Sequence, residues 1–86
     1  MIKILDFYAE WCKPCVTMGK ILDEFESEES DIKIEKINID SCNSDLLNEY
    51  QIRNIPYLVI FKDDVIIYKG SGTMNKEKIK TIINNG

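Results

Sequence analysis

Histidine does not occur in this sequence, and cysteine occurs only three times. Without histidine there is no Cys–His hydrolase, because that nucleophile needs an imidazole base beside it. A metal site wants about four ligands. Three cysteines do not supply them within one chain, so only a metal or cluster carrier bridging two chains stays open. An odd, low cysteine count also argues against a secreted scaffold stapled by disulfides. Positive charge is scarce too: 11 Lys and Arg stand against 15 Asp and Glu, and the lysines are scattered among acidic residues. A phosphate backbone requires a basic patch, so nucleic acid is excluded as a partner. Long apolar runs are missing, and stretches such as IPYLVIF at 55–61 are far too short to span a bilayer. Met1-Ile2-Lys3 leads at once into a strand-like segment, with no apolar signal region and no cleavage site, so the expected location is cytoplasmic. Repeats, low-complexity tracts and linkers are absent, and 86 residues bury one modest core. The expectation is a single domain over residues 1–86.

What is present is an ordinary globular composition, 44% hydrophobic and 30% charged, with alternating strand and helix patterns. IKILDFYA (2–9) is a nearly continuous apolar run, as in a strand covered on both faces. From Pro14 the pattern turns helical, with Cys15, Met18, Leu22 and Phe25 on one stripe, and it ends near residue 30. IKIEKINID (32–40) reads as a second strand. DSCNSDLLNEYQ (40–51) reads as a short helix with Ser41 as N-cap and Cys42, Leu46 and Tyr50 on one face. YLVIF (57–61) and VIIYK (65–69) form a hairpin across Lys62-Asp63-Asp64. Gly70 and Gly72 break the pattern, and Asn75 caps a last helix with Ile79, Ile82 and Ile83 inside. The order β-α-β-α-β-β-α predicts an α/β fold. The strand–helix–strand start gives two parallel neighbours and the hairpin an antiparallel pair, in a four-stranded mixed sheet flanked by helices.

Within that order, the spacing of Cys12 and Cys15 carries the chemistry. Cys12 falls after a strand, where a helix begins, and Pro14 suits a first helical turn because its missing N–H would be unpaired there anyway. Free N–H groups and the positive helix end then point at the Cys12 sulfur and favour thiolate, the species that attacks disulfides. Lys13 adds a cation. Cys15, one turn on, shares the apolar stripe. The sequence thus predicts an exposed, activated thiol and a covered one behind it, the asymmetry that attack and intramolecular release require. Cys42 reads as a small core residue. A purely structural disulfide is disfavoured in a reducing cytosol.

DFYAEWCKPC (6–15) resembles the active-site segment of thioredoxins, which usually read Trp-Cys-Gly-Pro-Cys. The resemblance continues through INID (37–40), IRNIPYL (52–58), FKDD (61–64) and Gly72, covering nearly the whole chain. It implies a minimal thioredoxin-like fold and a thiol–disulfide oxidoreductase that reduces protein disulfides without a bound cofactor. Its partners would be disulfide-containing proteins and a flavin-dependent, NADPH-driven thioredoxin reductase, the protein itself being a monomer. A glutathione-linked, glutaredoxin-like oxidoreductase and a non-catalytic binding module on the same scaffold are the alternatives.

Residue by residue, the resemblance implies catalytic roles for Cys12, Cys15 and Asp6. Asp6 would be a buried proton acceptor for Cys15, with its pKa raised by burial; a solvated strand edge is the plainer reading. Lys36 looks like the lysine that accompanies this aspartate, and equally like an edge lysine. Lys13, Pro14 and Lys36 would tune the redox pair. The resemblance also implies a cis Ile55–Pro56 bond packed against the cysteines, with Trp11, Ile55, Pro56 and Gly72 forming the substrate groove. The Ile55 backbone would pair with a substrate strand, although Gly72 reads as readily as a turn glycine. Four features depart from the family. Lys13 replaces the usual glycine, Tyr57 the usual threonine, and Lys20 a helix-kinking proline. The chain also starts at the Asp6 strand, without an extra N-terminal strand and helix.

Overall fold

The structure is a computed structural model describing residues 1–86. Strand β1 (Ile2–Tyr8) is followed by helix α1 (Lys13–Glu28), β2 (Ile32–Asn38), α2 (Ser44–Glu49), β3 (Tyr57–Lys62), β4 (Val65–Ser71) and α3 (Lys76–Asn85). The sheet order is β2-β1-β3-β4. β1 runs parallel to β2 and antiparallel to β3, and β3 is antiparallel to β4. The predicted element order and mixed sheet are therefore what is found.

The period of two along β1 sorts its side chains between two layers. Ile2 and Ile4 join Met18, Leu22 and Phe25 of α1, Leu58 and Ile60 of β3, and Ile79 of α3 in the larger core. Leu5 and Phe7 point the other way, with Val59, against Leu46, Leu47 and Tyr50. Helices α1 and α3 thus cover one face and α2 the other. Asp6, even-numbered, lies on the α1 face.

Four local expectations are corrected. The N-cap of α2 is Asn43, not Ser41: its side chain accepts the Asp45 N–H at 2.8 Å. The N–H groups of Ser41 and Cys42 are taken by the Asn38 carbonyl in the preceding turn, which leaves Ser41 no helix to cap. Cys42 accordingly sits ahead of the helix, half-buried, its Sγ 4.0 Å from the Ile39 carbonyl oxygen. In the hairpin, β3 runs on through Lys62 and the turn is Asp63-Asp64 alone. Both have positive φ, 51° and 69°, matching the two-residue turn whose twist suits paired strands. Gly70 does not break β4 but pairs with Leu58; the chain leaves the strand at Gly72, with φ +99°. Asn75 caps α3 as expected, accepting the Lys78 N–H at 2.9 Å.

Candidate active site

Cys12 is the N-cap of α1, in extended conformation, and Pro14 lies in the first helical turn. The Cys15 N–H donates to Cys12 Sγ at 3.3 Å. That N–H is one of the groups a helix start leaves without an intrahelical partner, so the sulfur occupies a built-in anion position. The two sulfurs are joined in a Cys12–Cys15 disulfide, with their Cα atoms 5.2 Å apart.

The predicted contrast between an exposed and a covered cysteine is not what this oxidised state displays. Cys12 is only 6% exposed and Cys15 3%. Both pack with Ala9 under Tyr8, Ile39 and Ile55. Ile39 and Ile55 reach the pair from two segments distant in sequence, which is why helix position alone overestimated the exposure of Cys12. Its Sγ lies 4.0 Å from the Ile55 carbonyl oxygen. The Ile55–Pro56 bond is cis, and neither the N–H nor the C=O of Ile55 enters a backbone hydrogen bond. The Gly72 N–H donates to the Pro56 carbonyl at 2.8 Å, tying the end of β4 to the proline loop. A Cβ on Gly72 would meet nothing within 4 Å, so its positive φ, rather than crowding, is what calls for glycine.

Trp11 is 69% exposed beside the pair. Its indole N–H donates to Asp40 Oδ2 at 2.9 Å, which fixes a large apolar plate at the surface. Lys13 is exposed next to Cys12.

Asp6 is only 1% exposed, and its Oδ1 is buried without a hydrogen-bond partner; the solvated-edge reading is set aside. Loss of water around the carboxylate pushes its pKa up to about 6, against an opposing pull from Lys36 and a further push from Asp23. Asp6 and Cys15 line the same cleft of about 360 Å³. Lys36 is the strand-register partner of Asp6, yet its ammonium pairs with Asp23 Oδ1 at 2.7 Å.

Sequence reasoning missed Asp23 and Asp40. Asp40 was within sight as the residue closing the INID segment, whereas Asp23 read only as part of the polar face of α1. No three or more cysteine, aspartate and glutamate side chains converge to hold a metal ion, and no helix is long and apolar enough to cross a membrane.

Comparison with known proteins bears on the same elements. The family model described as Thioredoxin matches residues 1–85. The chain is 34% identical over 80 residues to a thioredoxin of Mycoplasmoides gallisepticum, covering 93% of this chain and 79% of that protein. It is 38% identical over 81 residues to one of Chlamydia pneumoniae, covering 94% and 78%. Among solved structures, a mutant thioredoxin from Halobacterium salinarum superposes with a TM-score of 0.84 at 30% identity, over 98% of this chain and 73% of that one. A match from end to end, with the cysteine pair at the tip of α1 in the fold it requires, makes the chain a thiol–disulfide oxidoreductase that belongs to the thioredoxin family.

Proposed function

We propose that this protein works as a single domain in a reducing compartment, the cytoplasm, as a monomer that reduces disulfides of other proteins. Cys12 is the attacking thiol. In the reduced state the Cys15 N–H and the start of α1 favour its thiolate, with Pro14 holding the first turn and Lys13 adding positive charge. The Cys12 thiolate attacks one sulfur of the substrate disulfide, forming a mixed disulfide and expelling the other sulfur as a thiolate, which takes a proton from solvent. Cys15 then gives its proton to Asp6, and its thiolate attacks Cys12 Sγ. The Cys12–Cys15 disulfide forms and the second substrate sulfur departs. Two electrons pass from the dithiol to the substrate. A flavin-dependent, NADPH-driven reductase restores the dithiol, and glutathione is the competing reductant.

The observation that carries this reading is the shared cleft of Asp6 and Cys15 directly behind the disulfide. A base with a pKa of about 6 is suited to taking a thiol proton near neutral pH. The substrate lies across Trp11, Pro56 and Gly72. It pairs with the Ile55 backbone, whose N–H and C=O are free of other backbone bonds.

The test is turnover of an insulin-like disulfide substrate with two variants. Cys12→Ser should abolish reduction, and Cys15→Ser should trap a covalent complex with the substrate. Full turnover by Cys15→Ser, with Cys12 inert to alkylation, would refute the roles. Supplying reductase and NADPH, or glutathione, to the wild type identifies the reductant.

A further inference from the structure

Lys36 and Asp6 are direct register partners on adjacent parallel strands. Both line the cleft behind the disulfide, together with Cys15, Gly19, Lys20 and Asp23. A cation so close would ordinarily claim a buried carboxylate. Here the ammonium goes elsewhere: Lys36 Nζ meets Asp23 Oδ1 at 2.7 Å, and Asp6 Oδ1 stays buried and unpartnered. The route crosses α1 at Gly19, where a Cβ would lie 3.6 Å from Nζ. Asp23 is four residues further on, hence on the same side of the helix. Its side chain is 62% exposed. Pairing there keeps the ammonium in water, whereas pairing with Asp6 would require desolvating both charges.

We propose that Asp23 is a positioning residue for the resolution step: by holding the Lys36 ammonium it leaves Asp6 unpaired and able to take the proton of Cys15. This rests on the reading of Asp6 as the proton acceptor. A carboxylate locked in an ion pair is held in its charged form and is a weaker base. The step itself is unchanged. The Cys15 proton moves to Asp6, the Cys15 sulfur forms a bond to Cys12 Sγ, and the substrate sulfur leaves with the electrons of the broken bond. The other titratable groups around the cleft are Tyr8 and Glu10 after the β1 position of Asp6, and Lys20 on α1. On β3 the neighbour of Asp6 is the apolar Leu58.

The experiment compares wild type and Asp23→Asn in two measurements. The Asp6 carboxyl carbon shift is followed against pH in the oxidised protein, and mixed-disulfide resolution is timed by stopped flow. Asp23→Asn releases Lys36 to Asp6, so the Asp6 midpoint should fall by about one unit or more. Resolution at pH 7 should slow by about threefold or more. In a Lys36→Met background the same Asp23 substitution should move the midpoint less than half as far, because no ammonium remains to be released. An unmoved or raised midpoint, an equal shift without Lys36, or a fallen midpoint with unchanged resolution each overturns the proposal. A wild type that reduces no disulfide overturns the underlying reading instead, and the carbon shifts, which need no turnover, separate the two failures.

Discussion

Replacing Asp6 with asparagine removes a charge from one of the most buried positions in the sheet while nearly preserving its shape. Burial raises the carboxyl from 3.8 to about 6. The folded protein therefore holds its proton more tightly than the unfolded chain does, and the contribution of Asp6 to wild-type stability is greatest below pH 4 and declines as pH climbs through the window from about 4 to about 6. Two units at about 1.36 kcal/mol each give a cost of about 3 kcal/mol once the group is ionised. Asp6→Asn should remove that cost. At pH 8 the variant should be more stable by up to about 3 kcal/mol, which is more than about 10 °C in Tm for a domain of this size. At pH 4 the wild-type carboxyl is already neutral in the folded state, and the gain should be well under about 1 kcal/mol. Urea denaturation of the oxidised proteins at several pH values measures both. A gain that does not change between pH 4 and 8 would refute the desolvation argument, since an uncharged difference in packing has no pH dependence. Resolution of the mixed disulfide should slow in the same variant, so that stability and turnover move in opposite directions.

Lys13→Gly should lower the reduction potential by about 20 mV or less, because an exposed cation contributes at most about 1 kcal/mol to the thiolate form; equilibration with glutathione measures it, and a rise would give the electrostatic account the wrong sign. The wild-type potential should fall near or a little above about −270 mV. Asp40→Ala releases the Trp11 indole N–H, and KM for a protein disulfide should rise by up to about fivefold while mixed-disulfide resolution stays unchanged in stopped flow. Asn75→Ala removes the cap that accepts the Lys78 N–H and should cost about 1 kcal/mol in urea denaturation.

The features legible in the sequence are those decided within a few residues. The apolar run of β1, the stripe of Cys15, Met18, Leu22 and Phe25, and the Asn75 cap all stand where their local spacing puts them. The cap of α2 was locally ambiguous, because Ser41 and Asn43 are both good caps. The Asn38 carbonyl decided it by engaging the N–H groups of residues 41 and 42, a turn whose closure depends on where β2 ends. The burial of Cys12 was harder still, since Ile39 and Ile55 reach it from separate segments.

Lys36 shows where sequence reasoning stops and geometry takes over. The family resemblance linked Lys36 to Asp6, and the two are register partners on adjacent strands, but adjacency does not choose a partner. Of the carboxylates around the cleft, Asp6 is almost wholly buried and Asp23 mostly exposed. Coulomb attraction at contact is similar for both, so desolvation decides. The ammonium keeps much of its hydration at Asp23 and would lose it at Asp6. That choice depends on α1 crossing β2 with Gly19 at the point of approach, a long-range fact that no local pattern encodes. Its consequence is a buried carboxylate left without a counterion, directly behind the thiol whose proton must be removed.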